Sequence, residues 1–325
     1  MNDLIRDIAT DQLIEEPIRK GFGIGLEKAG HLFPNVVAAC ADLTESTQMH
    51  LFKKSFPDRF IEIGIAEQNL VTVGSGLAAA GKIPFVSSYA AFSPGRNWEQ
   101  IRTTICLNDR PVKIIGSHAG ISVGPDGATH QMLEDLALMR VLPNMVVLAP
   151  ADSIEAEKAT LAMVTDPRPN YMRLSREATP VITLSTTPFT IGKGLIFESG
   201  SDVTLIACGT MTYQALLAAN LLYKDGIEAE VIHLGTIKPL DEELILKSIK
   251  KTGAVVTAEE AQIAGGLGGA IAELIAEHYP VPMRRIGMKD RFGESGQPNQ
   301  LLTLFGLDAE HIRLAAHEVV ERKIK

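Results

Sequence analysis

The feature that most constrains the fold is an alternation of short apolar runs with longer runs of helical periodicity. The short runs are rich in β-branched residues and lie at 35–40, 84–89, 111–117, 145–150 and 170–175. Between them, longer segments repeat their apolar residues on one helix face, at 65–80, 97–107 and 153–164. Strands that are apolar on both faces and separated by amphipathic helices are typical of a parallel sheet covered by helices on each side.

A second round of the same alternation follows an irregular stretch. The stretch 179–194 is rich in threonine, with prolines and glycines, and has no helical period, which indicates a linker. The later strand-like runs lie at 203–208, 228–234, 254–260 and 283–288. We therefore predict two consecutive three-layer α/β domains with mostly parallel sheets, at residues 1–178 and 195–325.

Composition excludes several classes of protein. The 325 residues are 46% hydrophobic, which is enough for two buried cores. The net charge of −8, without long runs of like charge, predicts no nucleic-acid partner, and the absence of a run of ~18 apolar residues predicts no membrane span. The acid-rich start is unlike a targeting peptide. Three well-separated cysteines are typical of a reducing cytoplasm and argue against a cysteine-built metal site.

The loop 117–131 concentrates chemically useful side chains after a predicted strand. Its sequence, SHAGISVGPDGATHQ, brings together His118, Asp126 and His130. Ligands of open parallel sheets bind beyond the carboxyl ends of the strands, so this is an expected site position. Zinc binding by these three side chains is one reading. Because the loop has no cysteine and no HExxH helix, orientation of substrate hydroxyls and proton transfer fit it better.

Five further side chains each allow a functional and a structural reading. Glu67, in GIAEQN, is either a buried proton partner or a favourable charge in a first helical turn. Tyr89 and Phe92 either stack on a ligand or pack in a core. Arg19 and Arg176 either bind a phosphate or form surface ion pairs. Taken singly, none of these residues decides the function.

The joint order of the motifs resembles a known family, transketolase. The motifs similar to its pyrimidine-binding domain are DLTES (42–46), GIAEQN (64–69), YAAF (89–92), His118 with GPDGATHQ (124–131), and LSR (174–176). Those similar to its C-terminal domain are KPLD (238–241), GGLGG (265–269) and DRFGESG (290–296). The resemblance covers the chain from about Arg19 to its end.

The resemblance implies thiamine diphosphate as the cofactor and assigns residues to it. Glu67 matches the glutamate that hydrogen-bonds the aminopyrimidine ring and promotes loss of the thiazolium proton. Tyr89 and Phe92 match the aromatic pair that packs on the pyrimidine, and Asp42 matches an aspartate near the cofactor. In this family the difficult chemistry belongs to the cofactor, and the protein binds and orients it.

The resemblance also implies transfer of a two-carbon ketol unit between sugar phosphates, from xylulose 5-phosphate to ribose 5-phosphate or erythrose 4-phosphate, in the pentose phosphate pathway. His118 and Asp126 match residues that contact sugar hydroxyls, and His130 matches a histidine for hydroxyl recognition and proton transfer. The residues that match the phosphate-binding set are Arg19, Ser46 and Arg176. Guanidinium groups fit phosphate oxygens, so an acidic chain can take acidic substrates.

One expected element is missing, which implies a partner. Transketolases bind the diphosphate and Mg²⁺ (or Ca²⁺) through a Gly-Asp-Gly segment, and this chain has none. We therefore expect no metal ligands from this chain, and a separate N-terminal transketolase subunit that supplies them. The expected assembly is a heterotetramer built on a dimer of this chain.

Alternatives remain open at this point. A related thiamine enzyme is one, either 1-deoxyxylulose-5-phosphate synthase or the beta subunit of a 2-oxo acid dehydrogenase. A transketolase for a modified sugar is another, because Ala119 stands where the family commonly has aspartate and Tyr89 where it has phenylalanine. A noncatalytic regulatory subunit is the third.

Overall fold

Two mostly parallel sheets with helices packed on them organise the chain. The computed structural model describes residue 8 and residues 13–323. It confirms the predicted α/β class, with two sheets formed largely in succession along the chain. The predicted domain 1–178 begins, and the predicted domain 195–325 ends, in residues outside the described ones.

The elements are as follows. The strands, in chain order, are β1 (Glu15–Pro17), β2 (Val36–Cys40), β3 (Phe60–Glu62), β4 (Ile83–Tyr89), β5 (Lys113–Ser117), β6 (Val146–Leu148), β7 (Asn170–Arg173), β8 (Ala178–Pro180), β9 (Leu195–Glu198), β10 (Val203–Ala207), β11 (Ala229–His233), β12 (Thr236–Lys238), β13 (Val255–Gln262) and β14 (Met283–Met288). The α-helices are α1 (Ile18–Leu32), α2 (His50–Ser55), α3 (Glu67–Ala79), α4 (Trp98–Gln100), α5 (Asp135–Arg140), α6 (Ser153–Thr165), α7 (Met211–Lys224), α8 (Glu242–Thr252), α9 (Leu267–His278), α10 (Pro298–Leu304) and α11 (Ala309–Lys323). Short 3-10 segments lie at Pro57–Arg59 and Ile121–Asp126, and a π-helical segment lies at Ile101–Cys106.

The first sheet has the spatial order β12-β6-β7-β5-β4-β2-β3. Strands β2 to β7 run parallel, whereas β12 pairs antiparallel with β6. The segment Thr236–Lys238 therefore comes from beyond the predicted linker to extend a sheet built by the first half of the chain.

Burial on both faces explains the continuous apolar runs of the first sheet. Ala38 and Cys40 of β2 pack in the cluster that includes α1 and α6, while Ala39 between them packs in the cluster that includes α3. Because successive strand residues point to opposite faces, both faces of β2 are covered by helices. This arrangement positions the loops after the strands at one edge.

The second sheet has the order β14-β13-β10-β11-β9, with β9 antiparallel to β11. Helices α7 and α11 pack on one face, and α8 and α9 on the other. Helix α8 has the ends expected of its sequence. The Asp241 carboxylate accepts the Leu244 N–H, and Gly253 has a φ of 70°, the left-handed conformation that favours glycine.

Two local features differ from a simple reading of the sequence. The helical period at 97–107 becomes α4 followed by a π-helical segment. Thr103 and Thr104 donate their hydroxyls to the carbonyls of Glu99 and Gln100, which competes with the regular ladder of backbone bonds. The second feature is a short strand where the sequence turns irregular: β8, which follows β7, pairs antiparallel with β1.

Candidate active site

Most of the predicted site residues lie at the carboxyl edge of the first sheet. Strands β2, β3, β4, β5 and β7 run parallel, so the loops that follow them lie along the same edge. Asp42 and Ser46 follow β2, Glu67 follows β3, Tyr89 ends β4, His118 follows β5, and Arg176 follows β7.

Four rings form a contact cluster at this edge. Tyr89 stacks on His118 with ring centroids 3.9 Å apart, and lies 6.2 Å from Phe92 at an interplanar angle of 19°. His130 meets the edge of Phe92 at 5.5 Å. The structure thus brings the predicted cofactor-packing pair together with two histidines predicted to serve the substrate. One face of Tyr89 is already covered by His118.

His118 is held neutral by its surroundings. It is 3% exposed, has a φ of 57°, and its Nδ1 lies 2.8 Å from the Ser117 hydroxyl. Burial, reinforced by the positive charges of Arg19 and Arg176 and by His130, lowers the pKa of His118 from 6.5 to about 3. At neutral pH the imidazole can therefore exchange hydrogen bonds with a ligand but adds no positive charge.

The two predicted phosphate arginines are joined by a hydrogen bond. Arg19 Nη1 donates to the backbone carbonyl of Arg176, and Arg176 Nη1 donates to the carbonyl of Val123 at 2.7 Å. Burial lowers the pKa of Arg19; the charge of Glu177 opposes this shift, and the charge of Arg176 adds to it. The Nε of Arg19 is buried without a hydrogen-bond partner. Two guanidinium groups whose charges both act on the neutral His118 imidazole make this corner suited to an anion.

Arg176 also faces a predicted substrate residue. Its Nη1 lies 3.7 Å from the Asp126 carboxylate, and both side chains are about one third exposed. Asp126 ends the 3-10 segment, and His130 follows with its Nδ1 at 2.9 Å from the Thr129 hydroxyl. Because Asp126 is accessible and close to a guanidinium, it can accept a hydrogen bond from a hydroxyl of a ligand that is anchored there.

Glu67 is the first residue of α3 and is 3% exposed. Arg96 Nη1 donates to its Oε2 at 2.7 Å, and Asn97 donates its side-chain amide to the Glu67 carbonyl at 2.8 Å. The Arg96 guanidinium also lies 4.9 Å from the Phe92 ring centre. Arg96 therefore links the buried carboxylate to the aromatic cluster. The other oxygen, Oε1, has no hydrogen-bond partner among the described residues.

Asp42 and Ser46 stand apart from these contacts. Asp42 is exposed, has a φ of 55°, and donates its backbone N–H to Glu62 at 2.8 Å. Ser46 is half-buried in the turn that follows β2. Within residues 13–323, no hydrogen bond or ion pair joins either side chain to the ring cluster or to the two arginines.

Among residue 8 and residues 13–323, no group of three or more histidine, cysteine, aspartate or glutamate side chains is placed to hold a metal ion. No helix in that part of the chain is long and apolar enough to span a membrane. The histidines and aspartate of the loop 117–131 are therefore not arranged there as ligands of one ion.

Comparison with known families assigns both halves of the chain. Residues 16–181 match the model of the transketolase pyrimidine-binding domain, and residues 192–312 match that of the transketolase C-terminal domain. The chain belongs to the transketolase family. The resemblance carried by the motifs is confirmed.

Two transketolase relatives and one solved structure cover most of the chain. A Methanocaldococcus jannaschii protein named "Putative transketolase C-terminal section" is 44% identical over 309 residues, which are 94% of this chain and 97% of that protein. A 6-deoxy-6-sulfo-D-fructose transketolase subunit of Clostridium sp. is 44% identical over 288 residues, 89% of each protein. A structure titled "Split gene transketolase, inactive beta4 tetramer" shares 44% identity and a TM-score of 0.89, covering 94% of this chain and 99% of that one.

Two residues of the candidate site were not predicted from the sequence. Arg96 pairs with Glu67 although 29 positions separate them, and its signal is an arginine four residues after Phe92. Ser117 contacts His118, and its signal is a hydroxyl at the last strand position. Both residues orient side chains whose roles were assigned by resemblance.

Proposed function

We propose that this chain is the C-terminal subunit of a split, thiamine-diphosphate-dependent transketolase that works in the cytoplasm. Its reaction is the transfer of a two-carbon ketol unit from xylulose 5-phosphate to ribose 5-phosphate or erythrose 4-phosphate. The observation that carries the proposal is the series of contacts from Glu67 through Arg96 to the rings and His118, on which the charges of Arg19 and Arg176 act at the same sheet edge. Groups that would hold a heterocyclic cofactor therefore lie near groups that would hold a phosphate.

The residues present fit the pyrimidine end of the cofactor. Glu67 keeps Oε1 unpaired while Arg96 holds Oε2, so a protonated ring nitrogen has an acceptor. Tyr89 and Phe92 supply half-buried aromatic surface suited to a flat heterocycle, and we retain Asp42 as a nearby polar group. When bound, thiamine diphosphate supplies a carbon nucleophile after loss of its thiazolium proton. Glu67 would hold the proton on the pyrimidine ring that this chemistry requires.

The substrate end is proposed around the two arginines. Arg19 and Arg176 would hold the phosphate, with Ser46 as a further hydroxyl donor. Neutral His118 and the carboxylate of Asp126 would contact sugar hydroxyls. His130, at the edge of Phe92, would recognise a hydroxyl and move its proton.

The missing diphosphate and metal ligands are proposed to come from an N-terminal transketolase subunit. The support is that this chain spans 97% of a relative named as a C-terminal section and 99% of a chain from a split-gene transketolase. We propose a heterotetramer built on a dimer of this chain, with Mg²⁺ or Ca²⁺ bound mainly by the partner.

The test is reconstitution. The purified chain, a diphosphate-binding subunit from the same organism, thiamine diphosphate and Mg²⁺ are assayed with xylulose 5-phosphate and ribose 5-phosphate. We expect ketol transfer with both chains and none with either chain alone. Full activity of this chain by itself would contradict the split assembly. Glu67→Gln should abolish transfer, since the amide cannot take the place of the carboxylate.

A modified sugar is a second candidate substrate, favoured by the 44% identity to a 6-deoxy-6-sulfo-D-fructose transketolase subunit. A sulfonate is an anion that Arg19 and Arg176 could also hold. The test measures kcat/KM with 6-deoxy-6-sulfo-D-fructose and with xylulose 5-phosphate as donors, and the higher value identifies the preferred sugar. Release of carbon dioxide from pyruvate would instead indicate 1-deoxyxylulose-5-phosphate synthase or 2-oxo acid dehydrogenase chemistry.

A further inference from the structure

The loop that carries the predicted substrate residues is held by a carboxylate from the second half of the chain. Glu260 lies in β13 and is 4% exposed. Its Oε1 accepts the backbone N–H of Ser122 at 2.6 Å, and its Oε2 accepts the Thr210 hydroxyl at 3.0 Å. Ser122 belongs to the 3-10 segment between His118 and Asp126. Both oxygens of the buried carboxylate are thus occupied, one of them by the loop.

The loop runs so close to this carboxylate that a side chain would not fit. Gly120 has a φ of 92°, and a Cβ there would lie 2.4 Å from Glu260 Oε1. At the other end of the loop, the Gln131 amide donates to the carbonyl of Glu294, also in the second half, at 2.9 Å. The second half therefore fixes the loop at both ends.

Glu260 is also tied to the strand that leads to Arg176. Both terminal nitrogens of Arg173 in β7 donate to the Glu260 carbonyl at 3.1 Å, and its Nε donates to Asp135 at 2.9 Å. The loop returns to Arg176 through Val123, whose carbonyl accepts from the guanidinium at 2.7 Å. One residue thus connects the two segments that carry the proposed phosphate and hydroxyl contacts.

We propose that Glu260 is a positioning residue for the sugar phosphate, acting through Ser122 on the loop 120–131 and through that loop on Arg176. The inference rests on the proposed function for the identity of the ligand. Over residues 13–323, no hydrogen bond or ion pair joins Glu260 to Glu67 or Arg96, so its loss should weaken sugar phosphate binding without weakening cofactor binding. The charge-assisted bond to the Ser122 N–H is the interaction on which the role depends.

The neighbouring Glu259 provides a matched control. It is fully buried, and its two oxygens accept the N–H groups of Leu267 and Gly268 at the start of α9, each at 2.7 Å. Burial raises the pKa of Glu259 to about 7, although the two N–H groups oppose the shift. Glu259→Gln therefore alters a buried carboxylate in the same strand that does not contact the loop.

The experiment compares wild type, Glu260→Ala, Glu260→Gln and Glu259→Gln in the assembled two-chain complex. Isothermal titration with ribose 5-phosphate measures the substrate dissociation constant, and a separate titration measures that of thiamine diphosphate. We expect Glu260→Ala to weaken ribose 5-phosphate binding at least tenfold, with cofactor binding within twofold. Glu260→Gln keeps an acceptor for the Ser122 N–H, so its dissociation constant for ribose 5-phosphate should lie within about threefold of the wild-type value. Glu259→Gln should bind ribose 5-phosphate and thiamine diphosphate with the wild-type dissociation constants.

Amide hydrogen exchange over 118–131 provides the second measurement and does not depend on catalysis. Faster exchange in Glu260→Ala, but not in Glu259→Gln, is expected. Unchanged exchange, or unchanged ribose 5-phosphate binding in Glu260→Ala, overturns the role of Glu260 and leaves the proposed function standing. A wild-type complex that binds no ribose 5-phosphate overturns the proposed function, and the positioning role falls with it.

Discussion

Acid should destabilise this chain through the imidazole of His118. The pKa of that group is about 3 in the folded chain, against an ordinary value of 6.5, because it is buried and faces Arg19, Arg176 and His130. Since the folded pKa lies below the unfolded one, the unfolded chain binds the proton first as pH falls. The free energy of unfolding should therefore drop as pH falls below about 6.5 and stop dropping, on account of this group, below about 3.

The size of the effect follows from the linkage relation. One pKa unit corresponds to about 1.4 kcal/mol, and about pH 5 lies one and a half units below the unfolded value. Between about pH 7.5 and pH 5, this one histidine should cost about 2 kcal/mol of unfolding free energy. His118 is 3% exposed, so solvent screening of the neighbouring charges is small.

The assay is urea unfolding of wild type, His118→Asn and His278→Gln at about pH 7.5 and pH 5. Asparagine tolerates the positive φ of His118 and keeps an acceptor for Ser117. On acidification, we expect the unfolding free energy of His118→Asn to fall by about 2 kcal/mol less than that of wild type. His278 is exposed, so the unfolding free energy of His278→Gln should fall as much as that of wild type. Equal losses in His118→Asn and wild type, or an imidazole resonance of His118 that titrates near 6.5, would refute the reasoning.

Three further predictions concern contacts at and around the candidate site. Gly120→Ala, which forces a side chain into left-handed backbone, should lower the unfolding free energy by about 2 kcal/mol, measured by urea titration. Asp135→Asn leaves the buried guanidinium of Arg173 without its carboxylate and should cost about 3 kcal/mol in the same assay. Arg96→Gln removes the ion pair of Glu67 and should lower kcat/KM of the assembled complex about 100-fold, measured by ketol transfer.

Local chemistry made much of the fold predictable. Because β2 and β5 are buried on both faces, their apolar runs at 35–40 and 111–117 mark the strands to within two residues at either end. The ends of α8 follow from an aspartate that can cap and a glycine that can adopt positive φ. The family was predictable because its motifs are specific in residue type and order along the chain.

Contacts between distant segments were not predictable from one sequence. Strand β12 pairs with β6 across about ninety positions, and no pattern within Thr236–Lys238 indicates which sheet it joins. Arg96 and Glu260 are ordinary charged residues in the sequence, and only folding places them against Glu67 and Ser122. The roles assigned to the ten predicted site residues stay predictions that ligand binding and kinetics must test.

The second half of the chain takes part in building the first-half site. It supplies β12 to the first sheet, Glu260 to one end of the loop 120–131 and the Glu294 carbonyl to the other. A chain cut within 179–194 would leave β6 as an open edge and the Ser122 N–H without its carboxylate. The loop has three glycines with positive φ, at 120, 124 and 127, so its own backbone preferences do not hold it in one conformation. The Gln131 amide ties the loop internally to the Ile121 and Gly124 carbonyls, and Glu260 and Glu294 anchor it from the second half.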